Sequence, residues 1–122
     1  MAAALIPALT FSFFLSPSAQ ASTPVICLAY DTGGPGDSSF NDAAQAGLKV
    51  AAKTLQFTLE TTVTSGDAKD RTDRLTALVK KSCTIVIAVG TGYAATLKEL
   101  AQVFPETQFA ILNDATVDVL NV

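Results

Sequence analysis

Histidine is absent from this 122-residue chain, so no Ser-His or Cys-His nucleophile pair can be assembled within it. Basic residues are scarce: there are eight against eleven acids, for a formal net charge of −3, and none precedes Lys49. Binding to a nucleic-acid backbone rests on Lys and Arg neutralising phosphates, so no nucleic-acid partner is expected. Charge of either sign is thin at 16%, while 49% of residues are hydrophobic, a balance that favours a folded single domain over disorder. The chain is also short for an α/β enzyme.

Long apolar runs are missing too. The opening MAAALIPALTFSFFLSPSAQA is apolar through Phe14 and Leu15, then small and polar as far as Ala19-Gln20-Ala21. It falls short of the roughly 18 to 20 residues a membrane span needs and ends in an A-x-A site. Residues 1–21 therefore read as an export signal, although the usual positive start is lacking, and 22–122 as the mature segment. A buried N-terminal segment is the alternative.

Only two cysteines occur, Cys27 and Cys83. Export would permit a disulfide. If the strands that carry them end level at Asp31 and Gly90, however, the thiols are offset by about three residues, or roughly 10 Å along the strands. That exceeds the Cα separation of about 7 Å a bridge tolerates, so two buried free thiols are expected. Cys27 lies mid-strand in Val25-Ile26-Cys27-Leu28-Ala29, unlike a lipid-attachment site.

What is present is a strand-helix alternation. Val25 to Tyr30 is a continuous apolar run, the pattern of a strand buried on both faces. Phe40, Ala44, Gly47, Leu48, Ala51 and Leu55 form a helical stripe, with Ser39 to Asp42 as a capping box and Gly47 as a close approach between helix and sheet. Phe57 to Val63 alternates as a second strand. DAKDRTDRLTALVKKS follows as a helix with Leu75, Leu78 and Val79 facing the core and its acids early, as the helix dipole favours. Thr84 to Val89 is a third strand. Tyr93, Leu97, Leu100, Ala101 and Phe104 mark a helix that stops at Pro105, and Gln108 to Leu112 is a fourth strand. Such βαβ units with right-handed crossovers give a three-layer α/β domain on a parallel sheet.

Ligands of open parallel sheets sit beyond the carboxyl ends of the strands. Those ends carry Asp31 with the loop DTGGPGDSSFNDAAQAG, then Thr64 to Asp67, Gly90 to Gly92, and Asn113-Asp114. The glycine loop lacks a full dinucleotide fingerprint or P-loop. Asp31, Asp37 and Asp42 crowd it, while the basic residues fall on helices away from the loops, so a neutral polyol, a sugar hydroxyl, a cation or an amine suits it better than phosphate. Asp31 could be a nucleophile, or Asp31 and Asp114 an acid/base or metal pair; strand-end carboxylates are more often acceptors for a polar ligand or loop caps. Phe40 is either the first core residue of its helix or a flat face on which a base or sugar stacks beside Asn41. Tyr93 carries the same two readings.

VICLAYDTGGPGDSSFNDAAQAGLKVAA, TIVIAVGTGY and FPETQFAILNDATVDVLNV together resemble the amino-terminal lobe of the basic membrane protein family, the substrate-binding proteins of ABC-type nucleoside importers. The resemblance covers the whole mature segment, and D-x-G-G-x-G-D-x-S-F-N-D is its most specific block. It implies a type I periplasmic-binding lobe with strand order 2-1-3-4, a nucleoside held between two lobes, an ABC permease as membrane partner, a monomer exported to the periplasm or cell surface, and neither catalysis nor a cofactor. Carried over by motif, Phe40 is the stacking ring with Asn41 beside it, Asp31 and Asp114 are polar ligands, and Gly90 lines the floor. The family's second lobe and its lipid-modified cysteine have no counterpart here. The single lobe is expected to bind weakly and to expose an apolar patch.

Overall fold

The computed structural model describes residues 22–122; the expected signal segment lies outside them. Four strands, β1 (Val25–Tyr30), β2 (Thr58–Val63), β3 (Ile85–Val89) and β4 (Gln108–Leu112), alternate with helices α1 (Phe40–Ala51), α2 (Ala68–Val79) and α3 (Ala94–Val103). A single 3-10 turn, Thr91–Tyr93, leads into α3. All strand pairs are parallel, in the order β2-β1-β3-β4. This is the expected α/β sheet.

The central strands are apolar because both of their faces are covered. Cys27, Ala29, Val86, Ala88 and Phe109 point to one face and join Leu75 and Leu78 of α2 with Leu97, Leu100 and Ala101 of α3. Leu28, Tyr30 and Val89 point to the other, where, among the described residues, Ala44 and Leu48 of α1 and the neighbouring Ile87 pack against them. One face carries two helices and the other carries one. The uncovered part is an apolar groove of about 330 Å³ lined by Leu28, Ile87 and Leu112 of the sheet and Ala43, Gly47 and Leu48 of α1, with Phe40 at its rim. Gly47 is therefore not the close approach expected from the sequence. A Cβ there would meet nothing within 4 Å, because among the described residues no element packs against that side of α1.

The cysteines also depart from expectation: Cys27 and Cys83 form a disulfide, with Cα atoms 5.9 Å apart. The strands do end level, since Ala29 pairs with Ala88 and so sets Asp31 opposite Gly90. What fails is the assumption that Cys83 lies on a strand. It sits in the connection from α2 to β3, just after Ser82 at φ 57°, and that connection crosses the face to which Cys27 points. Rise per residue along a strand says nothing about a residue that arrives from a helix layer.

The start of α1 is capped differently from the expected box. Ser39 makes no side-chain cap. Instead Asp37 accepts from the amides of Ser39, Asn41 and Asp42 at 2.8, 3.3 and 3.2 Å, and Asp42 reaches back to the amides of Gly36 and Ser38 at 2.6 and 3.0 Å. Ser38 at φ 53° turns the chain so that the aspartate, one residue earlier, faces the helix end.

Candidate functional site

The carboxyl ends of β1, β2 and β3 are knitted together by side chains. Asn41, only 2% exposed, folds back from the first turn of α1 onto the end of β1. Its Oδ1 accepts from the Asp31 amide at 2.9 Å, and its Nδ2 donates to the carbonyls of Asp31 and Thr32, each at 3.4 Å. The Asn41 carboxamide is thereby engaged by the loop backbone and holds the end of β1 at Asp31 in place.

Asp31 is half-buried. Its Oδ1 accepts from the Thr32 amide and from Arg71 Nη2, both at 2.9 Å. Its Oδ2 has no hydrogen-bond partner among the described residues and lies over Gly90, where a Cβ would come within 2.6 Å of it. Gly90 holds φ 100°, a region L side chains rarely adopt, so two independent reasons require glycine there. It lies directly under the Asp31 carboxylate.

Phe40 is 52% exposed, so it is not a core residue of this lobe. Its ring stands at the rim of the apolar groove, one residue before the Asn41 clamp. Tyr93 resolves the opposite way. It is fully buried, its hydroxyl donates to the Tyr30 carbonyl at 2.9 Å, and burial pushes its pKa up to about 12. Asp114 stands two residues past β4, with Oδ1 accepting from the Thr116 hydroxyl and amide at 2.6 and 2.7 Å. Those bonds hold its carboxyl below the usual range, and none of its hydrogen bonds joins it to Asp31, Phe40 or Asn41. The structure therefore brings Asp31, Asn41 and Gly90 into contact, sets Phe40 beside them, and leaves Asp114 at the end of its own strand.

Arg71 is the residue that sequence reasoning missed. The basic residues do not all lie away from the loops: Arg71, in the first turns of α2, reaches over the strand ends to Asp31 and donates through Nη1 to the Gly66 carbonyl. The signal was present in the spacing. Residue 71 lies four before Leu75 and seven before Leu78, on the core stripe of α2, and that helix starts directly after a strand-end loop. The same loop is locked by Asp70, which accepts from Thr64 Oγ1, the Ser65 amide and Arg74 Nε at 2.8, 2.8 and 2.7 Å. The Arg74 contact, with the Ser65 amide and Thr64 hydroxyl, holds the Asp70 carboxyl far below its ordinary value.

These contacts sharpen what the mouth can bind. The orphan amides at the start of α1 already have anionic acceptors in Asp37 and Asp42, so a phosphate would have to displace carboxylates to use them. Among the described residues, no group of three or more His, Cys, Asp or Glu is placed to hold a metal, and no helix is long and apolar enough to cross a membrane. What remains is a flat ring, an unpaired carboxylate oxygen and a glycine floor.

A four-stranded parallel lobe with its polar loops at one edge is the fold of a solute-binding lobe. It superposes with TM-score 0.70 and 26% identity on ABC transporter system solute-binding proteins from Aeropyrum pernix K1, covering 78% of this chain and 26% of that one. A lipoprotein fragment from Peptoclostridium difficile 630 shares the fold, with TM-score 0.73, 23% identity and 81% coverage of both chains. The family profile that matches residues 25–122 is Bmp, ABC transporter substrate-binding protein PnrA-like, and the chain belongs to that family. Curated relatives include uncharacterised lipoproteins of Pyrococcus horikoshii, 32% identical over 98 residues, and Pyrococcus abyssi, 30% identical over 99. The match takes in 80% of this chain and 24% of each of these relatives, so the chain spans about a quarter of their length.

Proposed function

We propose that this lobe forms one wall of a nucleoside site in an exported ABC importer component, with Phe40 as the platform on which the base stacks and Asp31 as an acceptor for a polar edge. The observation that carries this reading is the pairing of a half-exposed aromatic ring with a carboxylate oxygen that has no hydrogen-bond partner among the described residues, both at the carboxyl ends of a parallel sheet. Base–aromatic stacking contributes about 1–3 kcal/mol per base and needs no charge, which suits a mouth whose helix amides are already capped by carboxylates. Gly90 admits the ligand close to the backbone, and Asn41 fixes the loop that carries Asp31. Asp114 would contribute from the end of β4, beyond the β3 end that carries Gly90. The site works by binding alone, with no covalent step and no cofactor.

A single lobe covers one face of a base. A second lobe, of the length that the relatives possess, would close on the other face and exclude water. The disulfide fits an oxidising compartment outside the cytosol, as does the lipoprotein character of the relatives. Membership of the substrate-binding family supports delivery of the ligand to a membrane permease.

Calorimetry of the intact protein with adenosine, guanosine, ribose and AMP tests the ligand class. Nucleosides should bind, ribose alone should not, and AMP should bind more weakly than adenosine. Ribose binding without nucleoside binding would assign a sugar in place of a nucleoside, and turnover of any of the four would return Asp31 to the role of nucleophile.

A further inference from the structure

We infer that Arg71 is a positioning residue: it fixes the rotamer of Asp31 so that Oδ2 alone faces the mouth. The inference rests on the reading of Asp31 as a ligand acceptor.

Three observations converge on it. Arg71 has a side chain only 14% exposed and makes two directional contacts, Nη2 to Asp31 Oδ1 and Nη1 to the Gly66 carbonyl. Its guanidinium carbon lies over the buried Tyr93 ring, 5.4 Å from its centre, a cation–π arrangement that adds a contact besides the two hydrogen bonds. The loop after β3 is cut away to admit this group: a Cβ on Gly92 would stand 2.6 Å from Arg71 Nη2, as one on Gly90 would stand 2.6 Å from Asp31 Oδ2. Two glycines, two residues apart, thus clear space for the two members of one ion pair.

The arrangement is costly if its only purpose is stability. Arg71 Nε is buried with no hydrogen-bond partner among the described residues, and an ion pair with one largely buried member and one half-buried member costs desolvation that its attraction only partly offsets. What the pair supplies is direction. With Oδ1 held by Arg71 and by the Thr32 amide, the carboxylate plane cannot rotate freely, and Oδ2 is presented at one fixed point above Gly90. An acceptor fixed before the ligand arrives loses less freedom on binding.

The test uses the intact protein and two readouts. In a ligand-free crystal structure of Arg71→Gln, the Asp31 carboxylate should leave its position over Gly90; an unchanged Asp31 rotamer would overturn the proposal whatever the ligand is. Gly92→Ala, which keeps every charge and should push Arg71 aside, is expected to reproduce the same displacement. For affinity, adenosine and guanosine are the probes. Arg71→Gln should weaken binding about tenfold to a hundredfold, the range for a lost charged hydrogen bond. Arg71→Lys, which keeps the charge but not the fork, should recover part of the loss. In an Asp31→Asn background, Arg71→Gln should cost no further affinity, because Arg71 acts through Asp31; full additivity would overturn the proposal. If the wild type binds neither nucleoside while Asp31 still turns away in Arg71→Gln, the positioning role stands and the nucleoside reading falls.

Discussion

At the residue scale, carboxylates do most of the organising, and each has a specific set of donors. Asp37 is subject to a desolvation that raises its pKa, but the amides of Ser39, Asp42 and Asn41 outweigh it and the net direction is down. Asp67 is lowered by the Asp70 amide and the Ser65 hydroxyl, Asp70 by Arg74 and its loop donors, and Asp114 by Thr116. All four have folded values below those of the unfolded chain. Between the folded and unfolded values the unfolded state binds more protons, so stability should be fully present above about pH 4 and fall as pH drops through the depressed values. Urea midpoints recorded against pH should show this decline, and Asp70→Asn should reduce it; a midpoint independent of pH in that window would contradict the assignment. Tyr93 acts at the other end. Its folded pKa is raised, to about 12, so its contribution is present below about pH 10 and is lost as pH rises toward 12.

At the element scale, two tethers secure what the sheet and helices begin. The disulfide closes a loop with a sequence separation of 56 residues, tying β1 to the connection before β3. Loop-closure entropy gives such a bridge about 4 kcal/mol, so reduction should lower the unfolding free energy by about that amount, measured by denaturant titration with and without a thiol reductant. An unchanged midpoint would mean that the link is not formed. The second tether is Asn121, whose side-chain amide lies 3.2, 3.1 and 2.8 Å from the carbonyls of Ala101, Phe104 and Thr107, at and just beyond the end of α3. Leucine in its place should cost about 1–3 kcal/mol, because carbonyls at a half-buried helix end lose their donor. Strands, helices and their order were legible in the sequence because apolar runs, helical stripes and turn residues all agree on them. The exceptions share one cause. Cys83 and Asp37 act across layers or around turns, where what matters is the direction of a side chain after folding; the α2 stripe places Arg71 on the core side, but not the partners its guanidinium reaches. Gly47 failed for a related reason: a stripe reports that a helix has an apolar side, not that something covers all of it.

At the scale of the whole molecule, the two faces of the sheet are unequal. The apolar groove beside α1 leaves Phe40 and Leu112 exposed at its edges, while Val50 and Leu55 add exposed apolar surface on the same helix and the turn after it. Contiguous patches of this kind promote association, so the isolated chain should self-associate as concentration rises, as sedimentation would detect. A monomer that melts cooperatively at all concentrations would show that the groove is harmless. The candidate site was legible to a similar degree. The motif placed Asp31 and Gly90 at neighbouring strand ends, whereas their packing against each other, the engagement of Asn41 by backbone and the partners of Arg71 are features of the folded chain. The central claim is that Phe40 is a stacking platform, and titration calorimetry of adenosine into the intact protein and its Phe40 variants tests it most directly. Phe40→Tyr should bind within about threefold of the wild type, while Phe40→Leu, which keeps the apolar bulk but not the flat ring, should lose about tenfold or more. Equal affinity in the leucine variant would contradict the claim.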